Sequence, residues 1–249
     1  MGLQMTNTSD GYFDETIAAT YDEDERESFA EPKVRAIVDV LATLVKAYGA
    51  VEFGVGTGRI ACPLALRGIS VTGIDMSQAM LDRTSGKPGA GDITLVKGDF
   101  SETKVSGRFD LVYLIFNTIM NLTSQEEQIA CFQNAADHLV PGGHFVIEVM
   151  TPRLQWLNPG EKQMIWDFSD DHWGIDEYDV ATQRLTSHHT RRKKGTTTIN
   201  SIPCRYVWPA ELDLMARLAN MKLKSRWQDW TGGVFQSDSP QHVSIWQKS

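Results

Sequence analysis

The stretch VEFGVGTGRI, residues 51–60, sets Gly54, Gly56 and Gly58 at alternate positions directly after a short apolar run. A chain that leaves a strand through such a turn and enters a helix brings backbone N–H groups and the positive end of the helix dipole to one point. Glycine suits that point because a Cβ would hold a ligand off the main chain. The turn therefore asks for a strand before it, a helix after it and a ligand above it.

The flanking sequence supplies those elements. Val34, Ile37, Val38, Leu41, Leu44 and Val45 recur at helical spacing, which predicts a helix over 33–48 with one buried face. Strands are predicted at 50–53, 70–74, 93–96, 109–115 and 144–149, with helices at about 59–67, 78–84 and 124–139 among them. Alternation of this kind implies parallel pairing and a doubly wound α/β sheet. The run LVYLIF, residues 111–116, is apolar at every position, as a strand covered on both faces should be. After Met150 the character changes. All seven tryptophans lie there, and RLTSHHTRR, KKG and TTTINSIPCRYVW predict an antiparallel β-hairpin turning near Lys194-Gly195. Pro209 opens a helix over about 209–220, and strands are predicted at 222–230 and 242–247.

Charge narrows the partners. The net charge of −8 comes from residues 10–31, where nine acids face Arg26 alone; removing them leaves 23 acids and 23 bases among the other residues. A neutral body makes nucleic acid an unlikely partner. Such dense like charge predicts a segment that stays mobile until ligand binds. Cys62, Cys131 and Cys204 lie far apart, against both a zinc site and a disulfide framework, and fit a reducing cytoplasm. No apolar run is long enough for a membrane span. The opening MGLQMT matches a lipidation pattern and Asn7-Thr8-Ser9 a glycosylation sequon, but neither has supporting context.

The dinucleotide fingerprint G-x-G-x-x-G is not met, because Arg59 stands three beyond Gly56. Asp75 ends the second strand about 20 residues on, and Asp99-Phe100 closes the third. Taken singly, Asp75 serves equally well as a helix cap, Asp99 as a loop cap and Phe100 as core. Together with the turn, they resemble the class I S-adenosylmethionine-dependent methyltransferases of small-molecule type, over about residues 33–150 and again from 205. The resemblance implies a seven-stranded, mostly parallel Rossmann-like sheet with a β-hairpin insertion after its fifth strand. It divides the chain into an acidic lid segment (1–32), a cofactor-binding core (33–150), a β-rich substrate cap (151–208) and a C-terminal helix with two strands (209–249). It also implies that Glu52, Gly54, Gly56 and Gly58 form the first motif, that Asp75 takes the ribose with Met76 beside it, and that Asp99 and the Phe100 main chain take the adenine. Ile115, Phe116 and Asn117 then lie beside the methyl group, with Asn117, Tyr21 and Trp173 toward substrate. Arg59 and Arg35 both remain candidates for the methionine carboxylate.

The implied function is methyl transfer from S-adenosylmethionine, leaving S-adenosylhomocysteine, to a nitrogen or oxygen of a small molecule. The chemistry needs alignment more than acid or base, so no catalytic residue is assigned. His172, His188 and His189 read as solvated hairpin residues. Two other functions stay open. One is an RNA methyltransferase using Arg191, Arg192, Lys193 and Lys194; the other is a regulatory protein that binds the cofactor without turnover. The sequence leaves room for a homodimer through the hairpin.

Overall fold

The computed structural model describes residues 12–193 and 195–249. The lipidation-like opening, the Asn7 sequon, Asp10 and Lys194 lie outside the described residues. Two short helices, α1 (Glu15–Ala18) and α2 (Tyr21–Asp24), precede α3 (Glu31–Leu44). The core then runs β1 (Ala50–Phe53), α4 (Ala61–Ala65), β2 (Val71–Asp75), α5 (Gln78–Thr84), β3 (Ile93–Lys97), β4 (Phe109–Leu114), α6 (Gln125–His138) and β5 (Leu139–Met150). After it come β6 (Gln163–Phe168), β7 (His172–Asp179), β8 (Arg184–Lys193), β9 (Thr196–Arg205), α7 (Pro209–Leu218), β10 (Met221–Trp227) and β11 (Gln241–Lys248).

Seven strands form one sheet in the order β10-β11-β5-β4-β1-β2-β3. β1 pairs in parallel with β2 and β4, while β11 runs antiparallel to both β5 and β10. Every residue of β4 is buried, as a strand between two helical layers requires. One apolar cluster packs Phe132, Phe145 and Trp246 on one side of the sheet, and another packs Val38, Leu41 and Leu64 on the other.

The predicted hairpin is present as β8-β9, and β6 and β7 extend it into a four-stranded antiparallel sheet, β6-β7-β8-β9. β7 escaped notice because its buried face carries His172 and Asp176 beside Gly174 and Tyr178, so burial alternates along the strand while hydrophobicity does not. Helix α3 stops at Leu44 and does not reach residue 48. The N–H groups of Lys46, Ala47 and Tyr48 turn instead to one oxygen of Asp110, at 2.8, 2.7 and 2.7 Å. Burial raises the Asp110 carboxyl, but these three donors outweigh it and hold it below the usual carboxylate range.

The insertion is tied to the core through a buried guanidinium. Arg205, at the end of β9, donates to Gln128 Oε1 on α6 at 2.5 Å and to Glu211 Oε1 on α7 at 2.7 Å. Gln128 in turn donates to the carbonyls of Ile119, Leu122 and Arg205. Replacing Arg205→Met leaves the Gln128 oxygen dry and unpaired, so stability in a urea titration is expected to fall by about 3 kcal/mol.

Candidate functional site

The glycine turn follows β1 and opens into a cavity of about 1230 Å³ that extends from the core sheet to the face of the insertion sheet. The three glycines do different work. Gly54 and Gly58 are packing positions, since a Cβ would come within 2.4 Å of Thr118 Cγ2 at the first and 2.8 Å of Thr84 Cγ2 at the second. Gly56 has φ +54° and no neighbour within 4 Å of the place a Cβ would take, and it lines the cavity. The open cradle sought at all three glycines is therefore Gly56, and Gly58 does not line the cavity.

Asp75 holds this turn in place. One carboxylate oxygen accepts from the Gly56 N–H at 2.7 Å, and the other from the Ser77 N–H at 2.9 Å. Burial raises its carboxyl, with those N–H groups opposing. Each oxygen keeps lone-pair capacity toward the cavity for a ligand hydroxyl. Met76 and Asp99 line the same space, Asp99 accepting from the Ser101 N–H and hydroxyl at 2.7 Å each. The Phe100 ring belongs to the core, stacked 5.9 Å from Phe53, which leaves its main chain for any ligand.

Glu52 is buried beneath the turn, where it accepts from the Tyr113 hydroxyl at 3.0 Å and from the Ala61 N–H. Burial pushes its carboxyl up to about 8, against the opposing pull of Tyr113, Arg59 and Ala61. It is a support for the turn that also borders the cavity.

At the end of β4, Ile115, Phe116 and Asn117 line the cavity. Phe116 and Asn117 both take left-handed backbone, φ 61° and 62°, a conformation non-glycine residues adopt at a cost. Two β5 contacts hold them there. Glu148 accepts from the Phe116 N–H at 3.0 Å, and Asn117 Oδ1 accepts from the Met150 N–H at 2.7 Å. Asn117, expected toward substrate, lines the cavity with its side-chain oxygen engaged by the β5 backbone. Above them Arg59 lies over the Phe116 ring at 4.6 Å and donates to the Ser28 carbonyl at 3.1 Å. Arg35, with its side chain 64% exposed and paired to Glu31, stands away from the cavity.

The acidic N-terminal segment, expected to be mobile, is laid across the mouth as α1 and α2. Its charge meets bases: Asp22 pairs with Lys87 at 2.5 Å and accepts from the Thr57 hydroxyl at 2.6 Å, Glu15 pairs with Arg83, and Glu25 pairs with Arg191 at 3.1 Å. Tyr21 lines the cavity between Phe13 and Phe29, edge-on to both, and burial pushes its hydroxyl up to about 12. Arg191, which the alternative RNA reading would place at a phosphate-contacting tip, is paired with Glu25 of this segment.

Trp173 is displaced from its expected role. It is 38% exposed and stacks on Phe168, on the side of β7 opposite His172. Alternation along β7 puts His172 and Asp176 on the cavity in its stead, His189 lines it from β8, and the irregularity between Ile165 and Asp167 lets the consecutive residues Trp166 and Asp167 both line it. The solvated reading of His172 and His189 is corrected accordingly. His188 points the other way, to the Ser201 hydroxyl at 2.8 Å.

A family model described as a methyltransferase domain matches residues 50–143. A curated protein of Bacillus subtilis (strain 168), YqeM, is 31% identical over 100 residues, a stretch covering 39% of this chain and 40% of that relative. The CcbJ methyltransferase from Streptomyces caelestis superposes over 97% of this chain and 100% of its own, with a TM-score of 0.86 and 32% identity. CalS10, an amino pentose methyltransferase from Micromonospora echinaspora solved with SAM bound, covers 92% of this chain and 97% of its own, with a TM-score of 0.69; at 15% identity the likeness is one of fold.

Two stability measurements check this account of the turn. Gly58→Ala meets both strain and Thr84, whereas Gly56→Ala meets backbone strain alone; the first is expected to lower stability by about 3 kcal/mol and the second by about 1 kcal/mol. For Glu52, the folded state binds more protons than the unfolded state between pH 4.5 and about 8, so stability falls as pH rises through that window. The slope approaches about 1.4 kcal/mol per pH unit, and Glu52→Gln is expected to abolish that share of the decline in a series of thermal melts.

Proposed function

The chain belongs to the class I S-adenosylmethionine-dependent methyltransferases, and from that premise we propose that it methylates a nitrogen or oxygen of a small molecule, an amine being the acceptor that best suits the cavity. When bound, S-adenosylmethionine supplies an electrophilic methyl group on a sulfonium. The open cradle at Gly56, the buried acid at Asp75 and the carboxylate at Asp99 fit an adenosine with its ribose and amino group. Asp75 would hold the ribose, Met76 would pack beside it, and Asp99 with the Phe100 main chain would hold the adenine. Ile115 and Phe116 would wall the methyl-bearing end. Arg59 is the remaining candidate for the carboxylate.

The observation that carries the small-molecule reading is the continuity of one cavity from the glycine turn to the insertion sheet, with room for an acceptor as well as the donor. The nitrogen reading is supported by Asp176, which is buried, borders that cavity and has one oxygen without a hydrogen-bond partner among the described residues. Such an oxygen asks for a donor, and an ammonium supplies one with charge. The amino pentose acceptor named for CalS10 points the same way.

The chain's part in the reaction is to align acceptor and methyl group and to exclude water. The segment fastened by Lys87, Arg83 and Arg191 closes the mouth, and the left-handed pair Phe116-Asn117 fixes the wall beside the reacting atoms. Titration calorimetry with S-adenosylhomocysteine tests donor binding, and Asp75→Ala is expected to weaken it by about 10²-fold. Incubation of the tritiated methyl donor with a panel of amino sugars and amino acids tests the acceptor class. Absence of binding heat, or label in RNA in place of the amines, overturns this reading.

A further inference from the structure

The insertion sheet carries a row of acid and imidazole groups that donor binding does not use. His172 Nδ1 on β7 lies 2.5 Å from Asp167 Oδ2 on β6, and His172 Nε2 lies 3.2 Å from His189 Nδ1 on β8. The two imidazoles stack with centroids 5.4 Å apart and planes 29° from parallel. Trp166 stands edge-on against both, at 5.5 and 5.3 Å. Gly174, directly across the ladder from His189, makes room for that indole, since a Cβ there would come within 2.3 Å of it. Asp167, His172 and His189 all border the cavity that begins at the glycine turn.

The order of these groups fixes where the protons sit. A carboxylate only accepts, so His172 Nδ1 carries hydrogen toward Asp167, and in the neutral imidazole the Nε2 is then bare. That nitrogen then accepts from His189, so His189 Nδ1 carries hydrogen and His189 Nε2 is left with a lone pair. The Ser187 hydroxyl stands 3.4 Å from that nitrogen, a distance too long for a firm bond. The row thus ends in an unprotonated nitrogen on a residue that lines the cavity.

We propose that His189 Nε2, backed by His172 and Asp167, is the group that takes the acceptor's proton; the proposal rests on the reading of the protein as a small-molecule amine methyltransferase. An amine arriving as an ammonium gives one proton to His189 Nε2. The proton on His189 Nδ1 passes to His172 Nε2, which places the imidazolium beside the Asp167 carboxylate. The neutral nitrogen then attacks the methyl carbon. Its N–C bond forms as the C–S bond breaks, the bonding pair returns to sulfur, and the positive charge moves from sulfur to nitrogen. Before the next turnover the proton on His172 Nε2 returns to His189 Nδ1 and His189 Nε2 releases its proton to solvent, which restores the starting tautomers.

The surroundings keep this nitrogen bare beforehand. Burial, followed by the charges of His172, Arg191 and His188, holds the His189 imidazole down to about 4, so it is neutral at pH 7. Arg191 flanks it on its own strand, Asp167 and Asp176 face the pair from β6 and β7, and Glu25 lies close enough to His172 to interact with it. Charge taken up by His189 is passed toward the acids and away from Arg191.

Two readouts test the row, one of them independent of turnover. With 15N-labelled histidine and saturating S-adenosylhomocysteine, long-range 1H–15N spectra should show His172 and His189 both protonated at Nδ1. Asp167→Asn should reverse both tautomers, because its amide can donate where the carboxylate accepted. Hydrogen on His189 Nε2 in the unaltered protein overturns the proposal. In turnover, with the amine of the panel that takes most label, His189→Gln should lower kcat by about 10²-fold, with KM and the calorimetric affinity for S-adenosylhomocysteine within twofold. The loss should be deepest at low pH, where the acceptor is most fully protonated, and added imidazole should restore part of the rate to His189→Gly. Equal rates for His189→Gln and the unaltered protein from pH 6 to 9 overturn the row while leaving the amine reading intact. No label in any amine with the unaltered protein overturns both.

Discussion

The bond from the Gly56 N–H to Asp75 is the contact on which the site depends. It joins the turn after β1 to the end of β2, two strands that already run side by side, and so sets the height of the main chain over the crevice. A second bond from the same carboxylate, to Ser77, starts the α5 helix from that point. Without this acid the part-buried N–H of the left-handed glycine would lose its partner, and of the bonds made by the turn's backbone N–H groups those to Ile74 and Val55 would remain. The open turn at the cavity and the packing of β1 on β2 are thus held by the same few atoms.

A parallel arrangement operates at the end of β4. Two consecutive left-handed residues are costly, and they persist because β5 supplies an acceptor for one and a donor for the other. Glu148 also accepts from the Trp230 indole at 2.9 Å, so the loop before β11 is bound to the same wall. The cavity floor is therefore built from strand ends pinned to neighbours, while its roof is an inserted sheet and a short N-terminal segment.

The parts legible in the sequence were those with a local signature. Alternate glycines, an acid about 20 residues later and an unbroken apolar strand need no knowledge of distant contacts, and they locate β1, β2, β4 and the core end of the cavity. Long-range contacts and the insertion's share of the cavity were not legible. Nothing near Asp110 announces that it will stop a helix more than 60 residues away, and nothing near Tyr113 or Glu148 announces a buried acid or a strained loop as its partner. β7 hid because polar groups occupy its inward face. The same absence of pattern hid which tryptophan faces the cavity, Trp166 and not Trp173, since the face of a strand cannot be assigned until its alternation is known.

The N-terminal segment is fastened to two separate parts of the protein, through Arg83 and Lys87 on the core and Arg191 on the insertion, with a small apolar contact around Ala18, Ala79 and Met80. The ion pairs among these fastenings weaken as ionic strength rises, the more exposed Arg83–Glu15 pair before the better buried pairs of Arg191, while the apolar packing of the sheets beneath is not screened by salt.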